Sequence, residues 1–262
     1  MIVSLQNKKA LITASSKGIG FAVASLFAEL GAQVAICSRS PEAVKKAANE
    51  IQKKTTQPVL MFHGDLGSRE FIESMSQTLL QEWGGVDILV NNNGGPKPGG
   101  IFEGTEADWE NALQATLMSA IRLTRLLAPA MKTKGWGRII NLTSSTAKEP
   151  EATLCMSNVT RAGVMTFGKT AATELGPFGI TVNTILTGRV MTDRLESLLK
   201  INGDRQGLTY EQMVEKTEKM IPVGAISSAD DFAKTIGFLA SEHSGYWNGA
   251  ALALDGGAMR SI

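Results

Sequence analysis

Apolar runs of strand length alternate with amphipathic runs of helix length along almost the whole chain, and this rhythm constrains the fold more than any other feature. Strand patterns fall at residues 10–13, 33–38, 58–63, 86–91, 137–143, 179–186 and 251–254. Helix patterns lie between them at residues 20–30, from Pro41 onward, near 69–83, over 106–131, over 154–175, and in a late helix closed by 236–239. Pro41 suits a first helical turn, where a missing N–H costs nothing. Strands that are apolar nearly throughout belong to a parallel sheet buried on both faces. Strict strand–helix alternation then predicts one α/β domain, doubly wound and Rossmann-type, with a seven-stranded parallel sheet and right-handed crossovers. With 43% of its 262 residues hydrophobic, the chain has enough apolar sequence for a single sizeable core. One segment breaks the rhythm: residues 196–220 are charged, methionine-bearing and helical in pattern. We read them as a lid inserted over one edge of the sheet, with Met191, Met213 and Met220 either packing it there or flooring an apolar pocket.

Charge and cysteine usage remove several function classes. Acids and bases nearly cancel, leaving a formal charge of +1, and no basic tract marks a nucleic-acid partner. No stretch of about 18 uninterrupted apolar residues exists to span a membrane, and the first residues lack the apolar core of a signal peptide. Cys37 and Cys155 lie in unrelated segments without ligand spacing, and around His63 and His243 no second metal-ligand residue falls at usable sequence spacing. The expectation is a cytoplasmic protein with no disulfide, no metal and no membrane partner.

The first strand runs into Thr13-Ala14-Ser15-Ser16-Lys17-Gly18-Ile19-Gly20 and then directly into a helix. Glycines there let a backbone approach a pyrophosphate, and the helix start offers N–H groups and positive dipole. A glycine turn that only closes a strand–helix corner is the plainer reading; the position after the first strand favours the dinucleotide. Arg39 follows the second strand, where a dinucleotide's adenosine ribose reaches and an acid accepts from a 2′-hydroxyl. Here Ser38-Arg39-Ser40 offers a cation instead, and Arg39 with Lys17 suits a 2′-phosphate. Two solvated surface cations are the alternative. The cofactor expected is NADP(H) rather than NAD(H).

With those residues in view, the whole chain resembles the short-chain dehydrogenase/reductases, in the branch that includes 3-oxoacyl-carrier-protein reductases. Asp65-Leu66 is placed like the family's adenine-contacting acid, and Asp87 to Gly94 resembles its fourth-strand motif. Residues 137–144 resemble the strand that carries the catalytic serine, here Ser144. Residues 179–183 and Asp255-Gly256-Gly257 match the sixth strand and the C-terminal turn. The resemblance implies cofactor contacts from the glycine loop, Asp65, Leu66, Asn92, Asn93, Gly94, Arg161, Gly188, Val190 and Thr192. It also implies a homotetramer, joined through the long helices at 106–131 and 154–175.

The departures fall on the chemistry. Ala14 stands at the family's first loop glycine, Asn93 at its usual alanine, and Thr187-Gly188 where proline-glycine is usual. The family's catalytic Asn, Ser, Tyr and Lys correspond to Thr116, Ser144, Ser157 and Arg161. A serine is too weak an acid to copy the tyrosine, and an arginine does not deprotonate. Losing a positioned general acid costs about 10²–10⁴-fold. Hydride transfer belongs to the cofactor, so orientation and charge stabilisation by Ser144, Ser157 and Arg161 can persist. The expected function is oxidation–reduction of a small carbonyl or secondary alcohol. A dinucleotide-binding pseudoenzyme, acting as sensor or scaffold, is the alternative, with residues 157 and 161 an ordinary helix turn.

Overall fold

The structure, a computed structural model, describes residues 3–261. Seven parallel strands form one sheet in the order β3-β2-β1-β4-β5-β6-β7. They are β1 Lys9–Ile12, β2 Gln33–Ser38, β3 Leu60–His63, β4 Ile88–Asn91, β5 Gly137–Leu142, β6 Ile180–Thr187 and β7 Ala251–Leu254. The order reverses between β1 and β4, so their carboxyl ends open the crevice where such sheets bind ligands.

Side chains alternate along each central strand and feed two cores. On one face Ala10 and Ile12 of β1 pack with α1 (Gly18–Glu29), α2 (Pro41–Gln52) and α9 (Ala229–Ala240). On the other, Leu11 joins α3 (Arg69–Trp83), α5 (Ser119–Lys134) and α6 (Cys155–Leu175). Burial on both faces holds for the central strands but not for all seven. Edge strands β3 and β7 alternate between half-buried and exposed residues, because each has a neighbouring strand on one side only. Buried Cys37 has its thiol pushed up to about 12 by desolvation, and both cysteines are free.

The helix expected over 106–131 is three pieces. It starts as α4 (Glu106–Ala112), loosens into a π turn over Leu113–Met118, and resumes as α5, which runs on to Lys134. Thr105 and Asp108 form a reciprocal cap at the start. A π turn widens the helix and frees carbonyls, which here have been taken by side chains: Ser119 Oγ donates to Ala115 O at 2.7 Å.

The expected lid also differs in limits and place. It is two helices, α7 (Asp193–Gln206) and α8 (Tyr210–Lys219), separated at Gly207, whose φ of +66° ends α7 in the left-handed region. Thr192 starts α7, accepting from Leu195 N, which is why the helix begins three residues before the expected 196. Leu195, Leu199 and Met213 form a small core of their own, whereas Met220 is exposed. The first residues of α7 touch the loops after β1 and β4, so the pair is anchored over the middle of the sheet rather than over an edge.

Candidate active site

The loop after β1 is shaped by two backbone demands. Gly18 sits at φ +58°, and a Cβ on Gly20 would lie 2.6 Å from Ala14 O and 2.8 Å from Asn92 Nδ2. Only glycine allows α1 to come this close to the loop. The helix starts without a side-chain cap and without an acid in its first turn, whereas Ser40, Ser68, Thr105, Thr192, Thr209 and Ser228 cap others. This cradle fits a dinucleotide phosphate. In the same loop Ser16, Gly18 and Ile19 are half-buried and Lys17 is exposed.

Two residues expected to contact cofactor are turned inward. Ser15 is fully buried: its hydroxyl donates to Ile12 O, its Oγ accepts from Cys37 N, and its N–H donates to Cys37 O. Thr13, also buried, donates to Asn92 O at 2.7 Å and accepts from Asn92 N at 2.8 Å. Both lace β1 to neighbouring strands, so their polar groups are spent on the sheet. Asn92 in turn donates to the main-chain oxygens of Thr13 and Ala14, fixing the glycine loop from β4.

The positions expected to carry an altered catalytic set meet in one hydrogen-bonded chain. Asn93 Nδ2 donates to Thr116 Oγ1 at 2.8 Å and to Ala115 O, a carbonyl of the π turn, at 3.0 Å. Its Oδ1 accepts from Arg161 Nη2 at 3.4 Å and from Gly95 N at 3.2 Å. Arg161 Nε donates to Ser157 Oγ at 3.1 Å, and Nη1 to Leu142 O at 3.4 Å. Ser157 and Arg161 lie one turn apart on α6 and share a face. Burial pushes the Arg161 guanidinium down to about 10, with Arg194 adding repulsion, and it remains charged at neutral pH. Ser144 stands at the end of β5, where its Oγ accepts from Thr146 N and heads a short 3-10 turn packed on α6. A small cavity behind the chain is lined by Thr13, Asn91, Asn92, Thr116, Ser119 and Thr143.

Consecutive residues at the start of α7 close the site. Thr192 faces Gly18, where a Cβ would come within 3.3 Å of Thr192 Cγ2. Asp193 pairs with Lys17 at 3.0 Å, which holds the Asp193 carboxyl below its usual range through that hydrogen bond and charge. Arg194 donates to the main-chain oxygens of Gly94, Gly95 and Pro96. Desolvation lowers the Arg194 pKa. Nothing in the sequence reading singled out Arg194. The available signal was a cation in a first helical turn, where the dipole disfavours it.

The remaining expected contacts surround this centre. Gly188 lets β6 approach Asp255, whose Cα would lie 2.5 Å from an added Cβ. The Val190 side chain is in the core, and Val190 pairs with Ser227 in a parallel bridge whose hydrogen bonds use Met191 N and Arg189 O, not the N–H and C=O of Val190 itself. Leu66 is buried, while Asp65 is exposed and accepts from Gly67 N. Arg39 is exposed at the end of β2, and Lys17 is engaged with Asp193 rather than with it. Tyr210 donates to Met191 Sδ within the lid region, and Tyr246 is fully exposed. Among the described residues, no group of three His, Cys, Asp or Glu residues has metal-site geometry and no helix is long and apolar enough to cross a membrane.

Comparison with known proteins agrees with this fold. A family model described as enoyl-(acyl carrier protein) reductase matches residues 13–259. The chain is 30% identical to the 3-oxoacyl-(acyl-carrier-protein) reductase FabG of Chlamydia muridarum over 97% of this chain and 98% of that one. It is 32% identical to the D-beta-hydroxybutyrate dehydrogenase of Cupriavidus necator, over 97% and 98% of the two chains. The crystal structure of L-sorbose reductase from Gluconobacter frateurii, complexed with NADPH and L-sorbose, superposes with a TM-score of 0.95 at 32% identity, covering both chains fully.

Ala14 carries a cost that glycine at this position avoids. Its φ of +47° is left-handed, which costs an L-residue with a Cβ about 1–2 kcal/mol. Ala14→Gly relieves that, less the extra chain entropy of glycine, for a net gain of roughly 0.5–1 kcal/mol. Thermal unfolding should show Tm raised by about 2 °C. A lower Tm removes the strain at Ala14.

Proposed function

Since the chain belongs to the short-chain dehydrogenase/reductase family, we propose that it is an NADP(H)-dependent oxidoreductase interconverting a small carbonyl compound and its secondary alcohol through an altered proton-delivery set. The observation that carries this reading is the hydrogen-bonded chain Thr116–Asn93–Arg161–Ser157. All four positions depart from the usual residues, yet each departure supplies a partner for the next. Independent loss of function at four places gives no reason for such matching.

When bound, the dinucleotide supplies or accepts the hydride. The protein's own part is to seat the carbonyl and to answer the negative charge that develops on its oxygen. Ser157 accepts the Nε–H of Arg161, which leaves its own proton to be donated and makes it a stronger donor. Ser144, across from α6 at the end of β5, supplies the second hydroxyl. Arg161 keeps its proton and contributes fixed charge, so water is the ultimate proton source. Arg39 and the missing acid after β2 support NADP(H), as does the NADPH held by the L-sorbose reductase structure. The helix pair α7–α8 acts as a lid, opening its clasp on the loops after β1 and β4 to admit ligands. The long helices α5 and α6 join subunits into a homotetramer, and Val159 of α6 is half-exposed.

The cofactor assignment is tested by calorimetric titration. NADP(H) should bind at least about tenfold more tightly than NAD(H), the scale of one charge-assisted contact, and Arg39→Asp should reverse the preference. Equal affinities in the unmutated protein remove the assignment.

Turnover is tested by NADPH oxidation over a broad carbonyl panel. Ser157→Ala should lower kcat by about 10²–10³-fold with cofactor affinity unchanged, and Ser144→Ala should act in the same direction. Arg161→Ala should weaken both. The family's relay is rebuilt by Ser157→Tyr, Arg161→Lys, Thr116→Asn and, because Asn93 fills the space between them, Asn93→Ala. If the natural protein reduces nothing and the rebuilt one does, the chain is a dinucleotide-binding protein instead. The quaternary assignment is checked by light scattering, where a monomer at micromolar concentration ends it.

A further inference from the structure

The turn Asp255-Gly256-Gly257 does more than end β7. Asp255 shapes it, its carboxylate accepting from Gly257 N at 3.0 Å and from Met259 N at 2.7 Å. The turn packs on the chain that leaves the lid: Val223 N donates to Gly256 O at 3.1 Å, and a Cβ on Gly256 would lie 2.6 Å from Ile221 Cγ2. Strand β6 lies between β7 and β5, and the residues after the turn reach past its end to the loop that follows β5. There they close on Glu149. Arg260 N and Ser261 N, two successive main-chain donors, both give their hydrogens to Glu149 Oε1, the first at 2.7 Å. Successive N–H groups of this kind make a small anion-binding nest. The Ser261 N–H, with smaller help from the Ser261 side chain and Arg260, holds the Glu149 carboxyl below its usual range.

The chain that enters the lid holds the same loop two positions later. Arg189, just before α7, donates from Nη2 to Glu151 Oε1 at 3.1 Å. Val190 and Ser227 pair, so the two ends of the lid segment stand side by side at its base. Each end therefore leads to one carboxylate of residues 145–154, the segment that joins Ser144 to the helix carrying Ser157. On its other side that segment is held by main-chain bonds, with Gly99 N donating to Thr153 O at 2.7 Å. A half-exposed pair such as Glu151–Arg189 adds little to stability. Placement is another matter, since shifting a reacting group by about 1 Å can cost on the order of 10²-fold in rate. We propose that Glu149 and Glu151 are positioning residues that carry the placement of the lid's two ends to Ser144 and Ser157, and so set the spacing of the hydroxyls that meet the carbonyl oxygen. This rests on the oxidoreductase reading for the work of the two serines. Neither carboxylate serves as a substrate contact; each acts through the loop.

Hydrogen exchange of the full-length, ligand-free protein reads the ties without requiring turnover. Glu149→Ala should speed exchange of amides 145–154 by at least about fivefold, and Glu149→Gln, which keeps an acceptor, by less. The pair Arg260→Pro and Ser261→Pro removes the two main-chain donors and should match Glu149→Ala, whereas Arg260→Ala with Ser261→Ala keeps both N–H groups and should do far less. Combining Glu149→Ala with the two prolines should add nothing to either alone, because they break one tie. Glu151→Ala and Arg189→Gln should behave as a second such pair, at about twofold to threefold. In turnover, Glu149→Ala should lower kcat by about tenfold with NADPH affinity within about threefold. Introduced beside Ser144→Ala and Ser157→Ala, where no hydroxyl is left to place, it should lower kcat no further. Exchange unchanged by Glu149→Ala and by the prolines overturns the proposal whatever the turnover, and so do additive effects of the two. A loosened loop with kcat intact overturns it as well, as does a loss of kcat that persists without the serines. A loop that follows its ties in a protein that reduces nothing keeps the link between lid and loop and removes the oxidoreductase reading.

Discussion

A guanidinium holds its proton at neutral pH, so burying one obliges its surroundings to supply acceptors in the plane of the fork. Arg161 on α6 imposes that condition on three separate elements. It takes a side-chain oxygen from its own helix at Ser157, a main-chain oxygen from β5 at Leu142, and an amide oxygen from the loop after β4 at Asn93. Asn93 then has its own amide hydrogens to place, and it places them on the π turn between α4 and α5. One buried charge thus ties the carboxyl ends of the central strands to the helices that cover one face. A lysine in the same place, with a compact ammonium and no fork, would demand a different set of neighbours.

The sheet explains why so much converges here. Parallel strands deliver all their carboxyl ends to one rim, and the reversal between β1 and β4 leaves a gap there that no crossover covers. Loops following β1, β4, β5 and β6 meet at that gap, and the first turn of α7 spans it with contacts to Lys17, Gly18 and the Gly94–Pro96 carbonyls. Each contact is modest by itself: the Lys17–Asp193 pair is exposed, and such pairs are worth at most about 1 kcal/mol. The first turn of α7 is thus held over the crevice by several separate contacts, none of them strong.

The strands and most helices were legible in the sequence because apolar periodicity reports burial, and burial decides these elements. The glycine loop was legible because glycine at 18 and 20 has few other uses between a strand and a helix. Periodicity is blind to what happens within a helix, so the π turn at 113–118 passed as regular α-helix, and with it the reason for Asn93. Likewise, residue type alone does not say which way a small polar side chain turns. Thr13 and Ser15 look like ligand contacts in a glycine loop, yet both face the sheet. The lid's anchorage was misplaced because it depends on Arg194, a charged residue whose long side chain reaches a loop about a hundred positions earlier in the chain.

Mutual dependence among Asn93, Thr116, Ser157 and Arg161 also bears on heredity. Changing any one alone removes a partner from the others: a lysine at 161 abandons Asn93, an alanine at 93 takes the acceptor from Arg161 Nη2 and the donor from Thr116 Oγ1, and a tyrosine at 157 needs room that the Ser157–Arg161 bond now occupies. A single substitution among the four therefore costs hydrogen bonds that a matched set of substitutions would keep. Descendants of this chain are expected to carry the four residues as a linked set, and a lineage that has acquired them has little prospect of drifting out one substitution at a time.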